Sequence, residues 1–466
     1  MNHLNRIIGI ETRRSGVVPV ALLVAVPMVA LILTTVSSFE GRWLPLAVTV
    51  RTMLQLALPL VVGGGAWLGM REHRHHLGEL LASSPRSRAR RIRPLAISLA
   101  GLVTVAYLTA FAAGLPRVLG RAVYVPMATL PVTAVGALSL VAAGWLGLAA
   151  GRAVPRLILI PVLVVLSAGL TGIVPSLVQD SYFGVDQRDS VPAALWLTPV
   201  WTFTVPDFDT VTGRTSLLQA IALLGLAVTG LLLASVGRRG IAPALVPAAA
   251  GLAGAALLLP ASGSAALADD ARAFAPRCSD AGPQICVSTV HAYQLDEITA
   301  PAQQVLTRLA VVPGAPTRAA ESRMDDRSGR PVTDRAGTIS FTDPYATYRS
   351  DEGFSVRAFQ QGLADQAFLP DCDVSVIKDD YDLGVAVIGA WLAGSGSLLE
   401  PHPDDNFGDR VVLIWDTDEI DRGDRAIQAL RTLPGARQTD LVRQVWTLTR
   451  TCRPEAMTAL MALGKA

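Results

Sequence analysis

The side chains with chemical potential are few, and most lie in the last 206 of the 466 residues. All four cysteines, Cys278, Cys286, Cys372 and Cys452, follow Pro260. An even number of cysteines confined to one soluble segment reads as two disulfides formed in an oxidising compartment, with four reduced core thiols as the alternative. Three pairings are open; the short, turn-forming Ser-Asp-Ala-Gly-Pro-Gln-Ile link favours Cys278 with Cys286 and leaves Cys372 for Cys452. No C-x-x-C pair and no closely spaced histidine accompanies them, so they do not read as a metal set. His291 and His402 are the only histidines of this half, too few for a hydrolytic zinc site. His291, after the strand-like run Cys-Val-Ser-Thr-Val, reads as a structural histidine. The run Asp416, Asp418, Glu419, Asp421, Asp424 has the density of a calcium loop. Ile420 stands where a ligand is wanted and the glycine is displaced, so a solvated acidic turn is expected. Ser395, in Gly394-Ser-Gly-Ser397, ends a helical run with no base nearby and reads as a flexible turn. H-E-x-x-H, G-x-S-x-G and G-x-x-x-x-G-K-[ST] are all absent. The sequence therefore assigns this chain no catalytic residue, no metal ligand and no cofactor.

The elements that would carry these residues follow from periodicity. Apolar spacing predicts helices over Ala300–Val311, Ser355–Phe368, Leu383–Ala393, Arg425–Leu433 and Thr439–Thr449. Strands are expected over Thr338–Phe341 and Val411–Trp415, and an exposed loop from Gly314 to Gly337. Residues 269–466 are expected to form one mixed α/β, mostly helical, disulfide-containing domain.

The first 260 residues are of another kind. They carry 20 basic against 9 acidic groups, a net of +11, while residues 261–466 carry 20 against 29, a net of −9. An acidic soluble half is poorly suited to nucleic acid, which is excluded as a partner. A helix crossing the bilayer core needs about 20 mainly apolar residues. Seven runs qualify: 17–37, 52–70, 95–114, 127–150, 157–177, 216–236 and 241–260. None has a charged interior residue, and Arg51, just before the second, is expected to snorkel to the interface. Arginines crowd alternate connections: Arg6, Arg13 and Arg14, then seven between Arg71 and Arg93, then Arg152 and Arg156, then Arg238 and Arg239. The positive-inside rule puts these in the cytoplasm, so the N-terminus is inside and the domain after Pro260 is outside, in a multi-pass protein of the cell membrane. Trp196 and Trp201 in the outer segment suit a membrane interface. The seventh run, with the small residues that end at Ala268, also imitates a cleavable export signal; a packed span is the preferred reading.

The cytoplasmic segment from Arg71 to Arg93 reads REHRHHLGELLASSPRSRARRIR. Its first part can form a helix with Leu77, Leu80 and Leu81 on one face, ending at the Ser83-Ser84-Pro85 breaker. On its own this is a basic juxtamembrane loop. Together with the amphipathic segment 1–16 (Leu4, Ile7 and Ile8 before Arg13-Arg14) and the two spans before it, the pattern R-E-x-R-x-x-x-x-E-L-L-A-S-S-P-R resembles the permease subunits of type-2 ABC transporters of high-GC bacteria. The resemblance covers about the first 240 residues. It implies an interfacial elbow helix at the N-terminus, a second permease chain in the assembly and a separate ATPase subunit. It also implies a coupling helix, with Glu79, Leu80, Leu81, Pro85 and Arg86 docking on that ATPase. Typical members stop after six spans, whereas this chain adds a seventh and an external domain. Gly282–His291 and Leu309–Thr317 look similar to an uncharacterised domain appended to actinobacterial permease-like proteins, a likeness that implies no activity. A membrane-anchored sensor, whose external domain binds an envelope ligand or protein, is the alternative function.

Overall fold

A computed structural model describes residues 16–74, 87–173, 193–201, 205–236, 240–259, 263–325, 330–331, 337–350, 353–368, 381–398, 417–453 and 455–465. The chain divides into two compact units, Met1–Ala273 and Phe274–Ala466.

The first unit is built from apolar helices: α1 (Val17–Thr34), α2 (Trp43–Thr52), α3 (Leu54–Gly69), α4 (Arg88–Val118), α5 (Thr129–Ala153) and α6 (Leu159–Ala168). After these come strand β1 (Asp209–Val211), α7 (Gly213–Ser235), α8 (Ile241–Leu257) and strand β2 (Leu267–Asp269). Among the described residues four helices, α1, α4, α5 and α7, are long and apolar enough to cross a membrane. A fifth is obtained when α2 and α3, bent by 46° at Met53, are taken as one broken span. The expected fifth and seventh spans appear as shorter apolar helices, Leu159–Ile173 and Ile241–Leu257. This is a membrane protein by its helices, with four or five of spanning length among the described residues.

Packing between these helices relies on small residues, as it must where lipid supplies no hydrophobic drive. Gly65 and Gly69 of α3 lie against the backbone of α5 at Gly144 and Leu148, and Gly147 and Gly151 of α5 lie against the backbone of α3. A Cβ at Gly147 would meet the carbonyl oxygen of Val62, and one at Gly151 that of Ala66, so the two backbones touch. Trp145 Nε1 donates to the Ala96 carbonyl at 2.9 Å and ties α4 to α5. At one end of the bundle Arg152 of α5 pairs with Glu72, just past α3, at 2.9 Å. After α8 the chain returns: β2 runs antiparallel to β1, with Thr210 opposite Ala268. Ala266 and Leu267 are buried, so the stretch resembling a cleavage site is built into this unit. Asp270 extends the return, with its N–H donating to the Phe208 carbonyl at 2.8 Å and its carboxylate 2.5 Å from the Tyr124 hydroxyl.

The second unit holds strands β3 (Pro276–Cys278) and β4 (Gln284–Ser288), helix α9 (Leu295–Leu309), and strands β5 (Arg318–Glu321) and β6 (Thr338–Phe341). Helices α10 (Val356–Ala367), α11 (Tyr381–Ala393), α12 (Thr417–Thr432) and α13 (Gly435–Arg450) follow. The sheet order is β3-β4-β5-β6. β3 is antiparallel to β4, while β4, β5 and β6 run parallel, with Ile285 opposite Ala319 and Ala319 opposite Ile339. α9 supplies the crossover that parallel pairing of β4 and β5 demands. Its apolar face, Ile298, Ala302, Val305 and Leu309, packs with Ile285, Ala319 and Ile339 in one core. Cys278 and Cys286 are register partners across β3 and β4 and form the expected disulfide. Gly282, at φ 75°, supplies the left-handed residue of the turn between them. Cys372 lies outside the described residues, and with it the pairing expected for Cys452.

Three expectations for this unit need correcting. The stretch from Gly314 to Gly337 contains the central strand β5, with Ala319 fully buried, rather than running as loop throughout. The acidic run is not a turn: Asp418 and Glu419 form the first turn of α12, where carboxylates favour the positive helix end. Ser395 is buried, 2.5 Å from the Ser397 carbonyl and hydrogen-bonded to Arg357, which makes the turn tied rather than flexible. The expected strand 411–415 lies outside the described residues. α11 is apolar on nearly every side, as befits a helix central to a soluble core.

Asp365 of α10 is half-buried against α11. Burial pushes the Asp365 carboxyl of α10 up to about 7, and Asp382 adds to the effect. The unfolded chain, at 3.8, binds fewer protons than the folded one between those values, so this group's contribution to stability falls as pH rises from about 4 to about 7 and is level above. Asp365→Asn should remove that slope and stabilise the unit at pH 8 by a few kcal/mol. Unfolding midpoints of wild type and variant measured against pH check this; parallel curves would refute it.

Candidate functional site

The parallel strands of the second unit bring three ionisable side chains to one edge. His291 sits on the 3₁₀ turn that follows β4, Glu321 is the last residue of β5, and Asp343 lies two residues beyond β6. All three are at the carboxyl ends of their strands, where open α/β sheets place ligand sites.

His291 is only 1% exposed, and each ring nitrogen faces a carboxylate. Nδ1 is 2.5 Å from Glu321 Oε1 and Nε2 is 3.4 Å from Asp343 Oδ2. The other Glu321 oxygen accepts from the Ser288 N–H at 2.7 Å and the Ser288 hydroxyl at 2.6 Å. Asp343 Oδ1 accepts from Gln294 Nε2 and from the Tyr345 N–H, both at 2.9 Å, an Asx turn that fixes the carboxylate. Tyr293 stands edge-on to both His291 and Tyr345, with ring centroids 6.5 and 5.7 Å away.

The geometry excludes one familiar chemistry. In a serine hydrolase the carboxylate and the hydroxyl hold opposite nitrogens of the histidine. Here the Ser288 hydroxyl lies 3.1 Å from Nδ1, the nitrogen Glu321 already holds, so it supports the carboxylate and is no nucleophile. What the arrangement can do is present Nε2, with its tautomer set from behind, beside a carboxylate oxygen.

The expected structural histidine is therefore buried and held, but by partners that the sequence reading did not single out. Glu321 fell within the expected loop and Asp343 carried no motif. The usable signal was positional: a histidine, a glutamate and an aspartate at or just beyond the ends of short apolar runs. Of the residues expected to bind, Glu79, Leu80, Leu81, Pro85 and Arg86 lie outside the described residues, as do residues 1–15 of the expected elbow segment 1–16.

The membrane unit has a second feature, centred on the bend at Met53. Arg51 does not snorkel; it is fully buried. Its Nε donates to the Pro199 carbonyl at 2.9 Å, Nη2 to the Thr198 carbonyl at 3.1 Å, and its guanidinium lies 3.7 Å from the Trp201 ring centroid. The Thr52 hydroxyl donates to the Trp201 carbonyl at 2.6 Å. Trp196 and Trp201 are buried and stacked edge-on at 5.5 Å, core residues rather than the interfacial anchors expected. Beside the bend lies a cavity of about 940 Å³, lined mainly by apolar atoms and bordered by Thr52, Gln55 and the Arg42–Asp207 ion pair at 2.5 Å.

No protein-family model, curated protein or solved structure matches the chain.

Proposed function

We propose that the chain is the membrane-spanning permease subunit of an ABC-type exporter. In this reading the polypeptide crosses the cell membrane seven times with its N-terminus inside and its disulfide-bearing domain outside. It pairs with a second permease chain and takes its energy from a separate ATPase that docks on residues 71–93.

The observation that carries the reading is how that loop is mounted. It leaves the bundle from the end of α3 at Arg71 and re-enters as α4 at Arg88, capped by Ser87, while Glu72 is clamped to Arg152 of α5. A push on the loop would therefore reach three helices at once, which suits a helix-in-groove contact that converts a partner's motion into a rigid-body shift. The cavity at the bend gives such a shift something to act on.

Changing Leu80 and Leu81 together to aspartate should abolish co-purification of the partner ATPase while leaving membrane insertion intact. Retained co-purification in a correctly inserted variant would sink the coupling assignment. The buried histidine–carboxylate edge of the second unit supports a second reading, a membrane-anchored sensor or accessory protein that binds an envelope ligand or protein. Deletion of residues 274–466 that abolished function while cavity-lining substitutions changed nothing would favour it.

A further inference from the structure

We propose that the carboxyl edge of the β4–β5–β6 sheet is a binding site for one divalent metal ion of the zinc class. His291 Nε2 and Asp343 Oδ2 would be ligands, and Glu321 the carboxylate that orients the imidazole. At 2.5 Å the Glu321 oxygen accepts the Nδ1 proton, and in the neutral ring the lone pair is then on Nε2. A carboxylate behind a ligating histidine is the arrangement that raises imidazole basicity at metal centres. Ser288 holds that carboxylate through both its N–H and its hydroxyl, so the support is itself supported.

In front of the ring, Nε2 faces Asp343 Oδ2, the oxygen opposite the one that Gln294 and Tyr345 occupy. Two acceptors turned toward each other favour positive charge between them. A proton and a metal ion are the candidates, and the spacing separates them. An N–H···O bond runs at roughly 2.7–3.2 Å, shorter than the observed 3.4 Å. Two ligands each about 2.0–2.1 Å from a tetrahedral zinc stand about 3.3–3.4 Å apart. One nitrogen and one oxygen donor fit a borderline ion such as zinc rather than calcium or magnesium, which take oxygen sets.

The test is equilibrium dialysis of full-length, metal-stripped protein in detergent against zinc, followed by metal analysis, with cobalt as a visible-absorption probe of the same site. His73, His75 and His76 are replaced by alanine throughout, to remove a competing histidine cluster. The background protein should take up one equivalent of zinc per chain. Asp343→Asn, which keeps the Asx turn, and His291→Ala should lose it, and Glu321→Gln should weaken it by about 10- to 100-fold. Circular dichroism matching the background protein checks that each variant is folded; if His291→Ala fails, Asp343→Asn decides. No zinc uptake by the background protein would overturn the proposal in favour of an imidazolium clamped between two carboxylates. Undiminished uptake by folded Asp343→Asn would place the metal elsewhere and overturn it equally.

Discussion

Gly151→Leu, or Gly147→Val, should leave no correctly folded membrane unit. Each glycine meets a carbonyl of α3 directly, Gly151 that of Ala66 and Gly147 that of Val62, so the new side chain would have to displace backbone rather than a rotatable group. Helices held by backbone contact cannot yield by rotamer change, and overpacking of this kind typically costs about 1–3 kcal/mol or more per site. With glycines of each helix against the backbone of the other, the loss falls on the contact that joins the α3 and α5 helices. Gly101 of α4, which has nothing within 4 Å of a notional Cβ, is the control and should accept alanine without effect. Detergent-extracted protein would be compared by size-exclusion profile and thermal unfolding; a monodisperse Gly151→Leu protein with an unchanged midpoint would show that the seam is not essential.

Glu321→Ala should be the most damaging single truncation in the second unit. It removes the acceptor for three donors at once, the Ser288 N–H, the Ser288 hydroxyl and His291 Nδ1, all in a buried place. Removing one partner from a buried charged cluster costs about 3–5 kcal/mol, which for a unit of this size lowers the midpoint by about 10 °C. Glu321→Gln keeps the shape and one acceptor oxygen but brings an NH₂ against existing donors, so an intermediate loss is expected. Limited proteolysis within residues 274–466 across a temperature series reads this out. An alanine variant as resistant as wild type would mean that the cluster contributes nothing to folding.

Much of this fold was legible in the sequence where a single stretch decides its own structure. Apolar runs located the helices of the membrane unit except α2, which falls between the first two runs, and periodicity located α9, α10, α11 and α13 to within a few residues. The short link between Cys278 and Cys286 was enough to foresee the disulfide that staples β3 to β4. The errors arose where distant residues decide. Arg51 reads as a snorkelling residue beside a span because its partners, the carbonyls of Thr198 and Pro199 and the ring of Trp201, are almost 150 positions away. The strand Arg318–Glu321 holds no β-branched or aromatic residue and pairs on both sides with strands distant in sequence, so local propensity is silent about it. The start of α12 was hidden for the opposite reason. Asp418 and Glu419 look like a loop by composition, yet they stand where a helix dipole welcomes them. The histidine–carboxylate edge combines both difficulties, because its members lie at or just beyond the ends of three strands that only the parallel sheet aligns.

The small ladder between Asp209–Val211 and Leu267–Asp269 constrains how the chain can thread a bilayer. One strand immediately precedes α7 and the other closely follows α8, and hydrogen-bonded neighbours share one side of a membrane. The chain between them must then make an even number of crossings. α7 is long and apolar enough to cross, and a crossing by α7 would need a second one before β2, for which the 17-residue α8 is the helix in place. At about 1.5 Å per residue α8 reaches about 25 Å, a little less than the hydrocarbon thickness, so the bilayer would have to thin locally around it. The helix that looks too short to count is, by this parity, the one that must be paired with its neighbour.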